Sequence, residues 1–318
     1  MGCDAGDITA TLAVADRSAT FEAVAERFAT TIRGLVGIDA PYSGRADVDV
    51  AGLDLGALPV PTDTPLSGQL RARIHAEGSA ARAADATVAA VIEALDARWN
   101  DQPVTLRSPA TPALENRTVT IDALQIDALD STVAISGHVP LDAGATAGAL
   151  EVDARLHLAT LAGYAPRGTD LSADGTVTVH GSVRGTAAAV DPDLTLALDN
   201  GLLIAPALGV PLANVQLQAR IAGGAAVIDR LSAEWGSAQL AASGRTPLAF
   251  FGALPVAVPP ADGGATVEAR LSGFNPAALP GSPADVSGRV DLQLTGHAAS
   301  ANLAAAADRL PPARRCRS

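Results

Sequence analysis

A repeat with a period of about 107 residues constrains this chain more than any other feature of its sequence. Ile121-Asp122-Ala123-Leu124 returns one period later as Ile228-Asp229-Arg230-Leu231. Ser136-Gly137-His138-Val139-Pro140-Leu141 returns at the same offset as Ser243-Gly244-Arg245-Thr246-Pro247-Leu248. A third landmark is a Gly that opens an alternating strand, at Gly68, Gly175 and Gly288, with the second gap slightly longer than the first. Upstream of each lies a further alternating strand: Ala46 to Val50, Leu150 to Leu158 and Ala265 to Leu271. The chain therefore holds roughly two and a half copies of one module. A module this long exceeds the usual solenoid unit, so each copy contains several strands.

Within a module the alternation has period two. Leu150, Val152, Ala154, Leu156 and Leu158 fall on one side, with Glu151, Asp153, Arg155 and His157 on the other. Val177 and Val179 follow the same pattern, as do Leu194, Leu196 and Leu198, then Val215, Leu217, Ala219 and Ile221. Strands of this kind have one wet face and one apolar face. The apolar faces exceed what a small barrel fills from within, given only nine aromatic residues in 318. Two arrangements satisfy them: a sheet closed around a packed core, or a sheet curled into a trough whose lining is covered by something else.

Two segments bear on helix content. Residues 80–99 are Ala-rich, with Val88, Val91, Ile92 and Leu95 at helical spacing, so propensity favours a helix. The repeat register places a strand there instead, and tertiary context overrides propensity, so the segment reads as extended. Residues 21–36 read as an amphipathic helix, with Phe21, Val24, Phe28, Ile32 and Leu35 as its stripe. Thr20 serves as its N-cap, Glu22 and Glu26 lie early, Arg33 lies late, and Gly34 and Gly37 end it. The expected organisation is an N-terminal segment 1–45 carrying helix 21–36, module 1 at 46–148 and module 2 at 149–263. A partial module 3 follows at 264–302, and then a disordered basic tail at 303–318. The expected fold class is mainly β, an elongated, repetitive, curved sheet with one or two short helices.

Composition narrows the function. All 22 positive charges are Arg, against 34 acids, for a net charge of −12. Such a chain has neither the cationic field nor the stacking platforms that hold nucleic acid, so no nucleic-acid partner is expected. No run approaches the ~20 apolar residues of a membrane-spanning helix. Met1-Gly2-Cys3 is followed by Asp4 and fits no signal peptide, lipoprotein start or myristoylation site. Cys3 and Cys316 stand at the two ends without metal-ligand spacing and read as incidental.

Catalytic motifs are missing. Without Lys there is no Schiff base, no phosphate-loop lysine and no Ser-x-x-Lys pair. None of the five His falls at His-x-x-x-His or His-Glu-x-x-His spacing. His75, His180 and His297 follow successive module glycines, and read as solvated strand positions rather than as a metal ladder. Asp122 and Asp229 recur in register and read as strand-to-turn residues that bond their own backbone. The expectation is a protein that is not an enzyme and holds neither cofactor nor metal.

One ordered set of residues carries a family resemblance. It runs Pro192-x-Leu194-x-Leu196-x-x-Asn200-Gly201-Leu202-Leu203, then Leu208-Gly209-x-x-Leu212-x-Asn214-Val215, then Ile228-Asp229-x-Leu231 and Ser243-Gly244. This set resembles the repeats of the TamB family of translocation and assembly module proteins, and of AsmA-like, bridge-like lipid-transfer proteins. The similarity is strongest from Ala149 to Phe250, weaker but in register from Ala46 to Leu141, and does not extend to residues 1–40 or 303–318.

The resemblance implies a taco-like β-groove lined by aliphatic side chains that conducts phospholipids between inner and outer membrane. It also implies support of outer-membrane protein and autotransporter assembly. Val177, Val179, Leu194, Leu196, Leu198, Val215, Leu217 and Ile221 would line the groove. The implied partners are phospholipid acyl chains and an outer-membrane barrel of the TamA type, engaged through parts that this chain does not match. The implied location is the cell envelope or periplasm, anchored in the inner membrane by a helix without counterpart here. The rival expectation is a structural β-solenoid, such as an adhesin or passenger stalk. Adhesin solenoids repeat at about 20 to 30 residues, far below the period found here.

Overall fold

The computed structural model describes residues 7–57, 66–99, 102–163, 172–248, 264–276 and 288–298. Eighteen strands, paired antiparallel, belong to one sheet. The one α-helix among the described residues is the six-residue α1 (Leu158–Gly163). The protein is mainly β, as its alternation predicts. The expected tail 303–318 and the end of the second module lie outside the described residues.

Two compact units divide the chain: residues 1–169 with 177–188, and residues 170–176 with 189–318. This division cuts across the sequence modules. In the first unit, β1 (Ile8–Ala15), β2 (Ser18–Ala25), β3 (Thr30–Gly37), β4 (Ser43–Asp54), β5 (Leu66–Ser79) and β6 (Thr87–Trp99) pair in chain order. Two short strands, β7 (Gln102–Leu106) and β8 (Pro112–Glu115), then share the far side of β6. Both also pair with β9 (Thr118–Ala128), so together they fill the place of one strand. β10 (Ser131–Pro140) and β11 (Gly148–His157) complete the series. β12 (Ser172–Thr186) contributes residues to both units. In the second unit, β13 (Ala189–Ile204), β14 (Leu212–Ala222), β15 (Ala225–Trp235), β16 (Ala238–Pro247), β17 (Ala265–Phe274) and β18 (Val290–Ala298) again pair in chain order.

The repeat has a backbone cause. β15 and β16 begin and end one full period after β9 and β10, at all four boundaries. Within each pair the recurring motifs bracket a β-bulge. Asp122 and Ala123 stand opposite the single Ser136, between the pairs Ile121–Gly137 and Leu124–Ile135. Asp229 and Arg230 stand opposite Ser243 in the same way, between Ile228–Gly244 and Leu231–Ala242. The turns recur too, Asn116-Arg117 becoming Gly223-Gly224, all four residues with positive φ between 48° and 70°. Two-residue turns of this hand match the twist of the flanking strands.

Residues 80–99 follow the repeat rather than helix propensity. A 3-10 segment at Ala80–Asp85 leads into β6, which is extended over its full thirteen residues. The strand equivalent to β14 differs between copies, because the first copy is broken between β7 and β8. Pro109 and Pro112 fall in that stretch, and each removes a ladder donor.

The helix expected at 21–36 is not formed. β2 and β3 occupy the segment, joined through a short 3-10 turn at Glu26–Phe28. Its helical stripe is split between the two faces of a sheet, with Phe21 and Ile32 on one side and Val24 and Leu35 on the other. Ala29 adopts a left-handed conformation, and the β-branched run Thr30-Thr31-Ile32 favours the strand that follows. Glu22 and Arg33, read as dipole-adapted helix ends, form a cross-strand ion pair at 2.9 Å.

Cross-strand aliphatic pairs such as Leu194–Ile221 and Leu198–Leu217 stabilise the sheet by roughly 0.2–1 kcal/mol each. Glycine is required at Gly137, where φ is +124° and an added Cβ would lie 2.1 Å from the Ala149 carbonyl oxygen. Replacement by Ala is expected to destabilise the protein by on the order of 3 kcal/mol in urea unfolding. Gly52, whose added Cβ would meet nothing within 4 Å, should tolerate the same change within about 0.5 kcal/mol.

Candidate functional site

Direct opposition in an antiparallel ladder puts paired residues on the same face, so the registers define the two faces of each unit. In the second unit, Leu194, Leu196 and Leu198 stand opposite Ile221, Ala219 and Leu217. From Leu217 the row runs on through Leu231, Ala242, Ala269 and Leu294. Val215 joins it opposite Gly201, beyond a bulge in β13. Six of the residues expected to line a groove therefore come together: Leu194, Leu196, Leu198, Val215, Leu217 and Ile221. The other two, Val177 and Val179, lie on the part of β12 that belongs to the first unit, both half-buried.

The first unit also carries an aliphatic row on β1 to β6, whose residues are outside the expected set. Ala10, Ala23, Ile32, Val48, Ile74 and Ala90 form one row across β1 to β6. Beside it, Phe21 stands opposite Gly34, and the ring lies so close that an added Cβ there would sit 2.3 Å from it. An apolar concavity of about 220 Å³ adjoins the ring, lined by Phe21, Val36, Tyr42, Gly44, Ala46 and Ala76 among others. The period-two pattern of 21–36 would have revealed this face, had its helical spacing not competed.

Burial separates an open face from a closed core. Among the described residues ten apolar side chains are buried, and six of them are Ala. Leu198 is 6% exposed, whereas Leu292 and Leu294 at the β18 edge are 54% and 61% exposed. Most residues of the aliphatic rows are half-buried. Among the described residues, one aromatic pair packs ring to ring, in the second unit. There Trp235 stacks on Phe274 with centroids 4.7 Å apart, and its indole N–H donates to the Leu208 carbonyl at 3.0 Å.

The opposite face is charged and internally paired. In the first unit Arg45, Asp47 and Asp49 of β4 oppose Glu77, His75 and Arg73 of β5. A concavity of about 380 Å³ lies among Arg33, Asp47, Asp49, Arg73 and His75. Its charges answer one another, and Arg73 also bonds Glu93. His75 Nδ1 lies 2.6 Å from Asp47 Oδ1, and its Nε2 lies 3.1 Å from Glu77 Oε1. His180 Nδ1 lies 2.9 Å from Asp153 Oδ1, which makes it the counterpart of His75. His297 stands opposite Thr266 and does not continue the series. No group of three His, Cys, Asp or Glu side chains is arranged to hold a metal ion among the described residues.

Asp122 and Asp229 correct their sequence reading. They lie in mid-strand at the shared bulge and bond side chains on neighbouring segments rather than their own backbone. Thr111 Oγ1 donates to Asp122 at 3.3 Å, and Arg220 pairs with Asp229 at 3.2 Å. A bulge re-aims the side chain it carries, so the conventional turn role does not apply.

Compared with protein-family models, curated proteins and solved structures, the chain matches none. No helix among the described residues is long and apolar enough to cross a membrane.

The two paired histidines give a pH dependence of known sign. Hydrogen bonds that His75 donates to Asp47 and then to Glu77 raise its pKa above the ordinary 6.5, and Asp153 as acceptor raises that of His180. A raised folded-state pKa stabilises fully below the unfolded value, and that contribution is lost as pH rises through the folded value. The thermal midpoint should therefore fall as pH rises above about 6.5, and fall less in the double variant Asp47→Asn, Asp153→Asn. Parallel curves for the two proteins would refute the assignment.

Proposed function

We propose that this protein shelters the acyl chains of phospholipids on its aliphatic faces, as a groove-forming lipid-transfer protein of the TamB and AsmA-like kind. The observation that carries the reading is a set of aliphatic rows spanning successive strands within each unit and left half-exposed. Such a face in water is a standing liability for a monomer, and an apolar ligand relieves it. Each sheltered methylene contributes about 0.8 kcal/mol. The rows carry no hydrogen-bonding side chains that would fix a ligand at one point, so an acyl chain can slide along them. Under the same reading the protein works in the cell envelope and moves phospholipid between inner and outer membrane. It also supports outer-membrane protein assembly beside a TamA-type barrel, and it has no catalytic role.

The rival, a structural β-solenoid, needs a dry and filled interior. The predominance of Ala among the buried apolar residues, with large aliphatics left half-exposed, favours the lipid reading.

Two measurements test it. A photo-crosslinker at Val179, on the aliphatic side, is expected to capture phospholipid, and one at the exposed Thr178 is not. Equal labelling at both positions, or at neither, counts against the face as a lipid site. Leu196→Asp places a carboxylate within the aliphatic row. On an open face water reaches that carboxylate, so the fold should survive while the lipid recovered with the detergent-free protein drops severalfold. In a closed core the unpaired charge would threaten folding itself, and an unfolded variant would favour the structural rival.

A further inference from the structure

β1 is an edge strand without the usual protection. All eight of its residues are exposed, on both faces. Ile8, Leu12 and Val14 are 58%, 69% and 61% exposed. Among the described strands it pairs with β2, and it carries no charge, no Pro and no bulge. Natural sheets blunt such edges with one of these devices, because unpaired N–H and C=O groups recruit other strands. β18, exposed at its own edge, carries Asp291 and His297 by comparison.

The turn before β2 fixes which backbone groups are free. Asp16 and Arg17 have φ of 49° and 60°, and Ala15 stands opposite Ser18. A two-residue turn of this kind makes Ala15–Ser18 a hydrogen-bonded pair, and bonded and non-bonded pairs alternate from there. The N–H and C=O groups of Ile8, Ala10, Leu12 and Val14 therefore point away from β2. Those same residues carry the aliphatic side chains, flush with Ala25, Ala23, Phe21 and Ala19. One set of four residues presents both the free backbone and the apolar surface.

We propose that β1 pairs antiparallel with β1 of a second copy of this chain, across a two-fold axis at Thr11. Ile8 then stands opposite Val14 and Ala10 opposite Leu12, with the side chains of these four residues kept on one side. A register two residues along would set Ile8 against Asp16. The contact is isologous, so one uncharged, self-complementary segment serves both subunits. That matters in a chain of net charge −12, where most other surfaces would oppose like charges. The aliphatic face of one copy continues into that of the next. The pairing is independent of the lipid reading and is tested on delipidated protein.

Sedimentation equilibrium of the full chain is expected to show a reversible monomer–dimer transition. Ala10→Pro deletes one outward N–H while sparing every β1–β2 bond, and should weaken dimerisation by at least about tenfold. Leu12→Lys tests the same edge without Pro, by setting charge into the paired aliphatic side, and should act alike. Circular dichroism verifies that each variant is folded. With Cys3 and Cys316 replaced by Ser, Thr11→Cys should oxidise to a disulfide dimer and Thr9→Cys should not. A chain that stays monomeric at all concentrations overturns the proposal. So does dimerisation undiminished in both edge variants, preferential cross-linking at Thr9, or a monomer whose β1 instead takes up a strand from a different protein.

Discussion

Lateral hydrogen bonding between neighbouring antiparallel strands is the interaction on which everything else in this protein rests. Each strand satisfies its N–H and C=O groups on the strands beside it. The backbone therefore needs no second layer of structure to be satisfied, and side chains are released from the duty of building a thick core. That explains how a chain with 48% hydrophobic residues can bury so few large ones among those described. Stability comes from many short-range contributions, namely ladder bonds, aliphatic cross-strand pairs and charge pairs on the wet side. Strands that follow one another in sequence also lie side by side, which keeps the entropy of bringing them together low.

A ladder alone gives a monotonous ribbon, and its variation comes from a few backbone devices repeated in register. The two-against-one bulge at Asp122–Ala123 returns at Asp229–Arg230, and bulges locally bend a strand and strengthen its twist. Gly68, Gly175 and Gly288 all have positive φ, from 118° to 141°, at equivalent points of successive modules. At Gly68 an added Cβ would lie 2.1 Å from the Asp96 carbonyl oxygen, so close approach by the neighbouring strand excludes other residues. The most recognisable letters of the repeat are thus the ones that deform the sheet, while the aliphatic positions between them vary freely among Ala, Val, Leu and Ile.

This division explains what is legible in the sequence. Bulge and turn residues have narrow chemical requirements, so their periodic recurrence stands out and carries the strand reading through residues 80–99 against helix propensity. The aliphatic rows around Leu196 and Leu217 are legible because polar residues such as Asp193, Thr195, Gln216, Gln218 and Arg220 intervene at alternate positions. Residues 21–36 mislead for a physical reason. Phe21, Val24, Phe28, Ile32 and Leu35 fit a helix, yet β2 is apolar on both faces near the turn, with Ala23 and Ala25 on one and Val24 on the other. Periodicity cannot separate the two cases there. The left-handed Ala29 that decides the matter has no distinctive side chain. The pairing of His75 with Asp47 is likewise invisible in sequence, because it depends on the register of two strands separated by 28 positions.

The distribution of side-chain types between the faces is itself an argument about what the apolar face can do. Several Arg side chains on the wet face are held by carboxylates across the ladder, as in Arg107 with Asp127 and Arg33 with Glu22. The planar fork of Arg suits bidentate pairing, so the wet face fastens strands together through specific contacts. The aliphatic face does the reverse. Its aliphatic rows have no side-chain donors or acceptors, and Trp235 and Phe274, which could obstruct it, are stacked on one another. Phe21 is the exception, and it lies down over Gly34 instead of standing into the space above the sheet. Specificity is thus concentrated on the side that holds the sheet together. The other side offers uniform apolar contact, which suits a ligand that must be sheltered along its length and held at no single point.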